Sequence, residues 1–208
     1  MSLMMSMLLT LAEFWYENPA SDLALEDADN YQMEAGSDTT SSTLLSFLLA
    51  MIKYPETLKK AKTEVDQLCG ATRSPTSDNI TELPYLRACM DETLRWRPVA
   101  AGGIPHMLTQ DDTYEGYFLP KGTMLFANAW AIHRDEDEYA DPDEFIPERF
   151  LNNKFGTKNT VSEKEDHRRE TYGFGAGRRV CPGQRLAENS LVSNMKFPRV
   201  GKTSLLIN

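Results

Sequence analysis

One cysteine, Cys181, lies in a segment of glycines and arginines, residues 174–183, whose sequence is FGAGRRVCPG. Glycines allow positive φ angles and a close approach to a flat ligand, while Arg178 and Arg179 offer fork-shaped donors for carboxylates. Pro182 suits the first turn of a following helix, whose dipole and free N–H groups would stabilise a negatively charged sulfur. Together these features predict a haem site with a cysteine thiolate ligand. The alternative is a buried structural thiol, the usual fate of a lone cysteine.

A second segment, residues 35–40 with the sequence AGSDTT, lies in the middle of a long helical pattern. Glycine and hydroxyl residues are poor formers of a helix interior, where a glycine costs about 1 kcal/mol. The helical period places Ala35, Asp38 and Thr39 on one face. Gly36 would let a flat ligand or dioxygen approach the backbone, and Thr39 could donate to a carbonyl of the preceding turn. The segment therefore indicates either a functional site or close helix packing through small residues.

Glu92 and Arg95 are three residues apart in another helical pattern, so their side chains are neighbours on the helix surface. An exposed pair of this kind stabilises a helix by only about 0.2–0.5 kcal/mol, and the spacing is common by chance. On the residues alone, a solvated surface pair is therefore the favoured interpretation. A later segment, PERF at residues 147–150, supplies a further arginine, Arg149.

These segments resemble the signature motifs of the cytochrome P450 family and stand in the family's order. Residues 174–183 match every fixed position of the haem-binding pattern Phe-x-x-Gly-x-Arg-x-Cys-x-Gly. Residues 35–40 match the pattern of the oxygen-activating helix, and the Glu-x-x-Arg pair and the PERF segment match two more. The resemblance runs from about residue 20 to residue 193. Several intervening segments are most similar to fungal microsomal members, in particular to enzymes of the O-methylsterigmatocystin oxidoreductase type.

The resemblance implies that this part of the chain holds haem b, iron protoporphyrin IX. Cys181 would be the axial ligand of the iron and thus the metal ligand of the site. Arg179 and His106 would bind the haem propionates, although a plain surface position is an equal alternative for His106. The other residues that the resemblance places against the haem are Phe174, Gly175, Gly183, Ala35 and Gly36.

The resemblance also implies catalytic and structural roles. Asp38 and Thr39 would be the catalytic residues, which deliver protons during oxygen activation. Glu92, Arg95 and Arg149 would form a buried hydrogen-bonded cluster under the haem. Removing one member of such a cluster strands a buried charge and costs about 3–5 kcal/mol.

The implied activity is that of a monooxygenase that inserts one atom of O2 into an apolar organic substrate. An NADPH–cytochrome P450 reductase would supply the electrons, and the thiolate ligand favours cleavage of the O–O bond. A full-length relative would be attached to the endoplasmic reticulum membrane by an N-terminal anchor and would face the cytosol. We expect this chain, which shows neither that anchor nor a signal peptide, to be soluble or aggregated in the cytoplasm.

A member of the family has more than twice the 208 residues of this chain, which therefore resembles a truncated, C-terminal portion of the fold. Because the haem pocket needs both halves, we expect the chain alone to fold poorly or to bind haem weakly. The alternative function is a catalytically inactive fragment that does not retain haem.

Composition limits the possible functions. The chain has 31 acidic and 22 basic residues, a net charge of −9, which argues against a partner made of nucleic acid. Cys69, Cys89 and Cys181 are widely spaced, so neither a disulfide framework nor a zinc site is indicated. Residues 161–185 carry a net charge of +2, from six basic and four acidic residues. That segment would either attract an acidic electron donor or form a solvated coil.

The elements that must position these residues are mostly helical. The hydrophobic pattern predicts a mainly α fold with a small β-sheet (α+β), in one domain over residues 1–208 with no second domain. Residues 44–52 are apolar on nearly all sides, which is typical of a helix within a core. The predicted elements are a short helix at 3–17, the oxygen-activating helix at about 21–53, a helix at 55–69, the Glu-x-x-Arg helix at about 80–97, the small sheet at about 103–128 and the haem loop at 174–183.

Overall fold

The computed structural model describes residues 25–70, 75–158, 171–175 and 177–195. Of residues 25–35 it describes the backbone. The helix predicted at 3–17 lies outside these residues, as does much of the net basic segment 161–185. Within the described residues, none of the helices is both long and apolar enough to cross a membrane.

Helices dominate the described residues, so the prediction of a mainly α fold with a small β component is confirmed. The helices are α1 (Leu25–Lys53), α2 (Pro55–Cys69), α3 (Pro84–Trp96), α4 (Ala129–Ile132), α5 (Arg149–Asn152) and α6 (Gln184–Asn194). The strands are β1 (His106–Met107), β2 (Asp112–Tyr114), β3 (Tyr117–Leu119) and β4 (Met124–Leu125). Two further segments, Ser77–Glu82 and Gly177–Arg179, form short 3-10 helices.

The strands form two separate antiparallel pairs in place of the single sheet expected over residues 103–128. β1 pairs with β4, and β2 pairs with β3 in a hairpin. Glu115 and Gly116, the two residues of the hairpin loop, have φ angles of 49° and 85°. Two positive φ angles in a two-residue loop are typical of a type I′ turn, whose twist matches that of the strands it joins.

The Glu-x-x-Arg helix, α3, begins at Pro84 and not near residue 80. Leu83 precedes this proline and has a non-helical backbone conformation, because the proline ring disfavours the helical region for the residue before it. Residues 77–82 form a 3-10 helix instead, and Arg97 ends α3 immediately before Pro98. A proline at each end therefore sets the length of α3.

The N-terminus of α3 is capped by a side chain from α2. Tyr85 and Leu86 donate their backbone N–H groups to the two carboxylate oxygens of Glu64, at 2.9 and 2.8 Å. The first N–H groups of a helix have no partners within it, and an acceptor there typically contributes about 1 kcal/mol. α2 thus both packs against α3 and completes its first turn.

Helices α1, α2, α3 and α6 pack around one hydrophobic core. α2 supplies Ala61 and Val65 from one face at helical spacing, as expected for an amphipathic helix. α3 has buried residues on nearly all sides, because it lies between the other helices and the irregular segment that follows β4. The other buried residues of the core include Phe47, Ala50, Met51, Cys69, Leu83, Leu86, Cys89, Met90, Trp96, Phe145, Leu191, Val192 and Met195.

α1 is apolar on two faces, and the described elements cover one of them. Phe47 and Met51 are buried in the core, whereas Leu45 and Ile52 are 66% and 76% exposed. Within the described residues, the core environment that the composition of residues 44–52 favours is found on one face of α1, and the second face is exposed. We refer to Leu45, Leu48, Leu49 and Ile52 as the exposed face of α1.

Candidate functional site

The charged groups at the centre of the fold are Glu92 and Arg95, which lie on adjacent turns of α3. Their side chains are 0% and 1% exposed, so the pair is buried and not solvated. Arg95 Nε donates to Glu92 Oε2 at 2.7 Å, and Arg95 Nη2 donates to Glu92 Oε1 at 2.8 Å. Two parallel charge-assisted bonds are the strong arrangement of an arginine and a carboxylate.

The remaining donors of Arg95 bind backbone carbonyls of the irregular segment after α4. Nη1 donates to the carbonyl oxygens of His133 and Pro142, each at 2.8 Å. Nη2 donates to the carbonyl oxygen of Glu144 at 3.1 Å. All five N–H donors of the guanidinium therefore have acceptors, as a buried arginine requires. Arg95 thus holds together a segment that has little regular secondary structure of its own.

Arg149, at the start of α5, brings a second cation to the same carboxylate. Its Nε donates to Glu92 Oε1 at 3.2 Å, and the Ile146 N–H donates to that oxygen at 2.8 Å. Its Nη1 donates to the carbonyl oxygen of Ala140 at 2.9 Å. Glu92, Arg95 and Arg149 are thus in direct contact, and we refer to them as the Glu–Arg cluster.

The predicted haem loop folds back on itself around Cys181. The Cys181 N–H donates to the carbonyl oxygen of Phe174 at 2.8 Å, and the Gly175 N–H donates to that of Tyr172 at 3.1 Å. Gly175 and Gly177 have φ angles of 75° and 63°, a conformation that favours glycine. The thiol of Cys181 is exposed, so it is not a buried structural thiol.

α6 begins directly after this loop. Gly183 is its N-cap, and the N–H of its first residue, Gln184, donates to the carbonyl oxygen of Cys181 at 3.3 Å. A β-carbon added to Gly183 would lie 3.8 Å from the Cys181 sulfur. The sulfur therefore lies beside the N-cap of α6, where the positive end of the helix dipole favours negative charge.

The second predicted site lies on α1, where Asp38 and Thr39 are exposed. Thr39 Oγ1 donates to the carbonyl oxygen of Gly36, in the preceding turn, at 3.4 Å. α1 continues as a helix through this segment, which includes the backbone of Ala35. A β-carbon added to Gly36 would have no neighbouring atom within 4 Å among the described residues, so the space beside this turn is open.

The other predicted haem contacts lie on separate elements. His106 is exposed on β1, opposite Leu125 of β4. Arg179 is exposed at the end of the 3-10 helix that precedes Cys181. The structure places in one loop Phe174, Gly175, Arg179, Cys181 and Gly183. Because α6 packs against α1, this loop and the Asp38 face belong to neighbouring elements.

His133 is a buried residue that the sequence motifs do not single out. It is 1% exposed, its carbonyl oxygen accepts from Arg95, and its ring contacts those of Tyr139 and Tyr172. Burial, with Arg95 and Arg134 close by, lowers the pKa of His133 to about 4, so its ring is neutral at pH 7. One histidine among charged residues gives no sequence signal strong enough to predict this environment.

The residues of the loop fit a haem with a thiolate ligand. The sulfur is exposed at the N-terminus of α6, and two glycines in left-handed conformations keep the backbone beside it free of side chains. Arg179 lies in the same loop and can pair with a carboxylate. The open space at Gly36 lies on the helix that packs against α6.

The known proteins that this chain resembles all belong to one family among those compared below. The cytochrome P450 family model matches residues 20–193. Cytochrome P450 monooxygenase 69 of Postia placenta is 48% identical over 159 residues, which cover 76% of this chain and 28% of that protein. Cytochrome P450 monooxygenase verL of Clonostachys rogersoniana is 41% identical over 179 residues, which cover 86% of this chain and 33% of that protein. The chain thus spans about a third of the length of these curated relatives.

A solved structure resembles the fold as well. A zebrafish cytochrome P450, in a structure with abiraterone, matches with a TM-score of 0.66 at 36% sequence identity. The match covers 76% of this chain and 34% of the zebrafish chain. A second structure of a zebrafish cytochrome P450, with progesterone, matches to the same extent.

Proposed function

The chain belongs to the cytochrome P450 family, and we propose that it acts as the thiolate-bearing part of a haem monooxygenase. The observation that carries the proposal is the exposed Cys181 thiol, which lies in a closed glycine loop at the N-terminus of α6. The buried Glu–Arg cluster supports it, because a fully satisfied set of charges can fix one packing of the surrounding segment.

Haem b is the proposed cofactor, and the Cys181 sulfur would bind its iron. Arg179 and His106 would pair with the propionates, and the glycine backbone would lie against the flat ring. When bound, the haem supplies the activation of O2 and the transfer of one oxygen atom to the substrate. The protein holds the sulfur in position through the hydrogen bond from the Cys181 N–H to the carbonyl oxygen of Phe174.

We assign the transfer of protons to Asp38 and Thr39. Both are exposed beside the open space at Gly36, where a small ligand and water can approach. The Asp38 carboxylate can exchange protons with solvent, and the Thr39 hydroxyl can pass a proton onward while it is held near the Gly36 carbonyl.

The substrate and partners are proposed from the family. The substrate is an apolar organic molecule, and an NADPH–cytochrome P450 reductase supplies electrons on the endoplasmic reticulum membrane. The named fungal relatives support an enzyme of fungal secondary metabolism. Within that group, a likeness to O-methylsterigmatocystin oxidoreductase is the finer assignment that we propose.

The test is haem reconstitution of the 208-residue chain, followed by the absorption spectrum of the reduced CO complex. We expect a Soret band at the position diagnostic of a thiolate ligand, and we expect C181A to abolish it. C69A is the matched control, because Cys69 is a buried core thiol and its loss should leave the band in place. A thiolate band of full strength in C181A would contradict the assignment.

A second candidate is that this chain alone does not retain haem. The exposed face of α1 favours it, because a contiguous apolar surface usually packs against another protein surface. Addition of the N-terminal two thirds of cytochrome P450 monooxygenase 69 from Postia placenta separates the candidates. A thiolate band that appears only with the added fragment supports the second candidate, and a band without it excludes that candidate.

A further inference from the structure

We propose that His133 is a positioning residue that ties the segment leading into the haem loop to the Glu–Arg cluster, and thereby sets where Cys181 presents its sulfur. This inference rests on the proposed function, because it concerns the loop that carries the sulfur ligand. His133 belongs to neither the loop nor the cluster, but it makes one hydrogen bond to Arg95 of the cluster and one to Tyr172, two residues before the loop.

On the cluster side, the backbone of His133 is held from two directions. Its carbonyl oxygen accepts from Arg95 Nη1 at 2.8 Å, and its N–H donates to the carbonyl oxygen of Ala129 at 3.0 Å. Arg95 itself makes two hydrogen bonds to Glu92, and both residues belong to α3. The position of the His133 backbone is therefore fixed relative to α3. The imidazole ring of His133 is thus attached to a backbone whose position is fixed.

On the loop side, the ring of His133 meets Tyr172. The Tyr172 N–H donates to His133 Nε2 at 3.4 Å, and the two ring centroids are 5.8 Å apart. The ring of Tyr139 packs edge-on against His133 at 6.4 Å, and the Arg95 guanidinium lies 5.3 Å from the Tyr139 ring. The imidazole is thus buried between two tyrosine rings, with Nε2 directed to the Tyr172 N–H.

Two backbone hydrogen bonds continue this connection from Tyr172 to Cys181. The carbonyl oxygen of Tyr172 accepts from Gly175, and the carbonyl oxygen of Phe174 accepts from Cys181. The bond from the His133 ring to Tyr172 differs from these two, because it depends on a side chain. Substitution at His133 can therefore cut the connection and leave the bonds within the loop intact.

The same geometry fixes the protonation state that the connection needs. Nε2 accepts a hydrogen bond, so the proton of the neutral ring lies on Nδ1, which has no partner among the described residues. A glutamine side chain can place its amide oxygen near the position of Nε2 and accept the same bond. A leucine side chain fills similar space and cannot accept it.

The test compares H133Q with H133L in the full chain, by hydrogen exchange of the backbone amides of residues 171–175 and 177–181. We expect H133L to speed exchange of the Tyr172 amide roughly fivefold to tenfold, which corresponds to the loss of one hydrogen bond. We expect H133Q to remain within about twofold of the wild type. Y85F is the control, because it removes a hydrogen bond to Glu148, which does not belong to the loop.

Equal exchange of the Tyr172 amide in the wild type, H133Q and H133L overturns the proposal, as does equal acceleration in both variants. If H133L does not fold, the tautomer of His133 in the wild type, measured from its ring nitrogen shifts, decides the question. A proton on Nδ1 supports the proposal, and a proton on Nε2 overturns it.

Haem spectra separate this proposal from the proposed function. A wild-type chain without a thiolate Soret band, but with faster exchange in H133L, contradicts the proposed function and leaves the positioning role supported. A wild-type chain with the band, but with unchanged exchange in H133L, contradicts the positioning role alone. We expect the band to be weakened in H133L and restored in H133Q.

Discussion

The Glu–Arg cluster buries charged side chains and the exposed face of α1 exposes apolar ones, and the two regions differ in what surrounds them. Every donor of Arg95 has an acceptor, and the acceptors belong to four residues, Glu92, His133, Pro142 and Glu144. On the exposed face, Leu45 and Ile52 have most of their surface in contact with solvent. Within the described residues, the charged groups of the cluster thus have hydrogen-bond partners. The exposed face, in contrast, is an apolar surface of the kind that usually packs against another protein surface.

One chain can thus contain both a structural centre whose charged groups all have partners and an apolar surface that the described residues leave uncovered. A buried charge is costly without partners, so the groups that satisfy the cluster must all be in place when this part of the chain folds. Apolar surface can be exposed at a moderate cost of about 25 cal/mol per Å². Substitutions in the two regions should therefore differ sharply in their effect on stability.

The largest expected effect is that of E92Q. Loss of the carboxylate charge leaves two buried guanidinium groups without a counter-ion, which should lower the free energy of unfolding by about 3–5 kcal/mol. Urea denaturation followed by circular dichroism measures the change. D66N removes an exposed partner of Lys62 and is the matched control, with an expected effect below about 1 kcal/mol. Equal effects of the two substitutions would show that the cluster is not a structural centre.

The next effect is a pH dependence that originates at His133. Its pKa is about 4 in the fold and 6.5 for an ordinary histidine, because of burial and the facing charges of Arg95 and Arg134. The unfolded chain therefore binds the proton more readily between these values. The contribution of His133 to stability is complete above pH 6.5, declines as the pH falls, and is lost by about pH 4, a change of roughly 3 kcal/mol.

Urea denaturation of the wild type and H133Q between pH 7 and pH 4 isolates this contribution from that of the carboxylates. Burial raises the pKa of Tyr139, whose ring packs edge-on against that of His133, to about 12, so Tyr139 does not change charge in this range. We expect a shallower fall in stability for H133Q. Identical slopes for the two proteins would exclude His133 as the source.

The smallest expected effect is that of I52A on the exposed face of α1. Ile52 is 76% exposed, so its truncation should change the free energy of unfolding by less than about 0.5 kcal/mol. M51A, one residue away but buried in the core, should cost about 2–5 kcal/mol. Thermal unfolding of the two variants measures the contrast. A large loss in I52A would show that this face is covered in the isolated chain.

The sequence is sufficient to predict features that depend on local chemistry. Pro55 and Gly70 bound α2 where the pattern places its ends, because a proline suits a first turn and a glycine adopts a positive φ angle. Glycines around Cys181 likewise predict a tight loop, and the structure has one. The fold class and the family follow from such local patterns in a consistent order.

Features that depend on distant contacts could not be predicted from the residues. Glu92 and Arg95 alone indicate a solvated pair, and only the acceptors at His133, Pro142 and Glu144 explain why the arginine is buried. The exposed face of α1 has the composition of a core, so its environment depends on what packs beside it. The positions of Asp38, Thr39 and His106 relative to a haem remain predictions.

The two hydrogen bonds from Glu64 to the first turn of α3 have a mechanical consequence. Sliding α2 along α3 by even one residue would break both bonds and leave a carboxylate and two N–H groups without partners. The two helices should therefore move together as one unit when a force is applied or when a partner binds nearby. Any hinge in this part of the molecule must lie outside that pair.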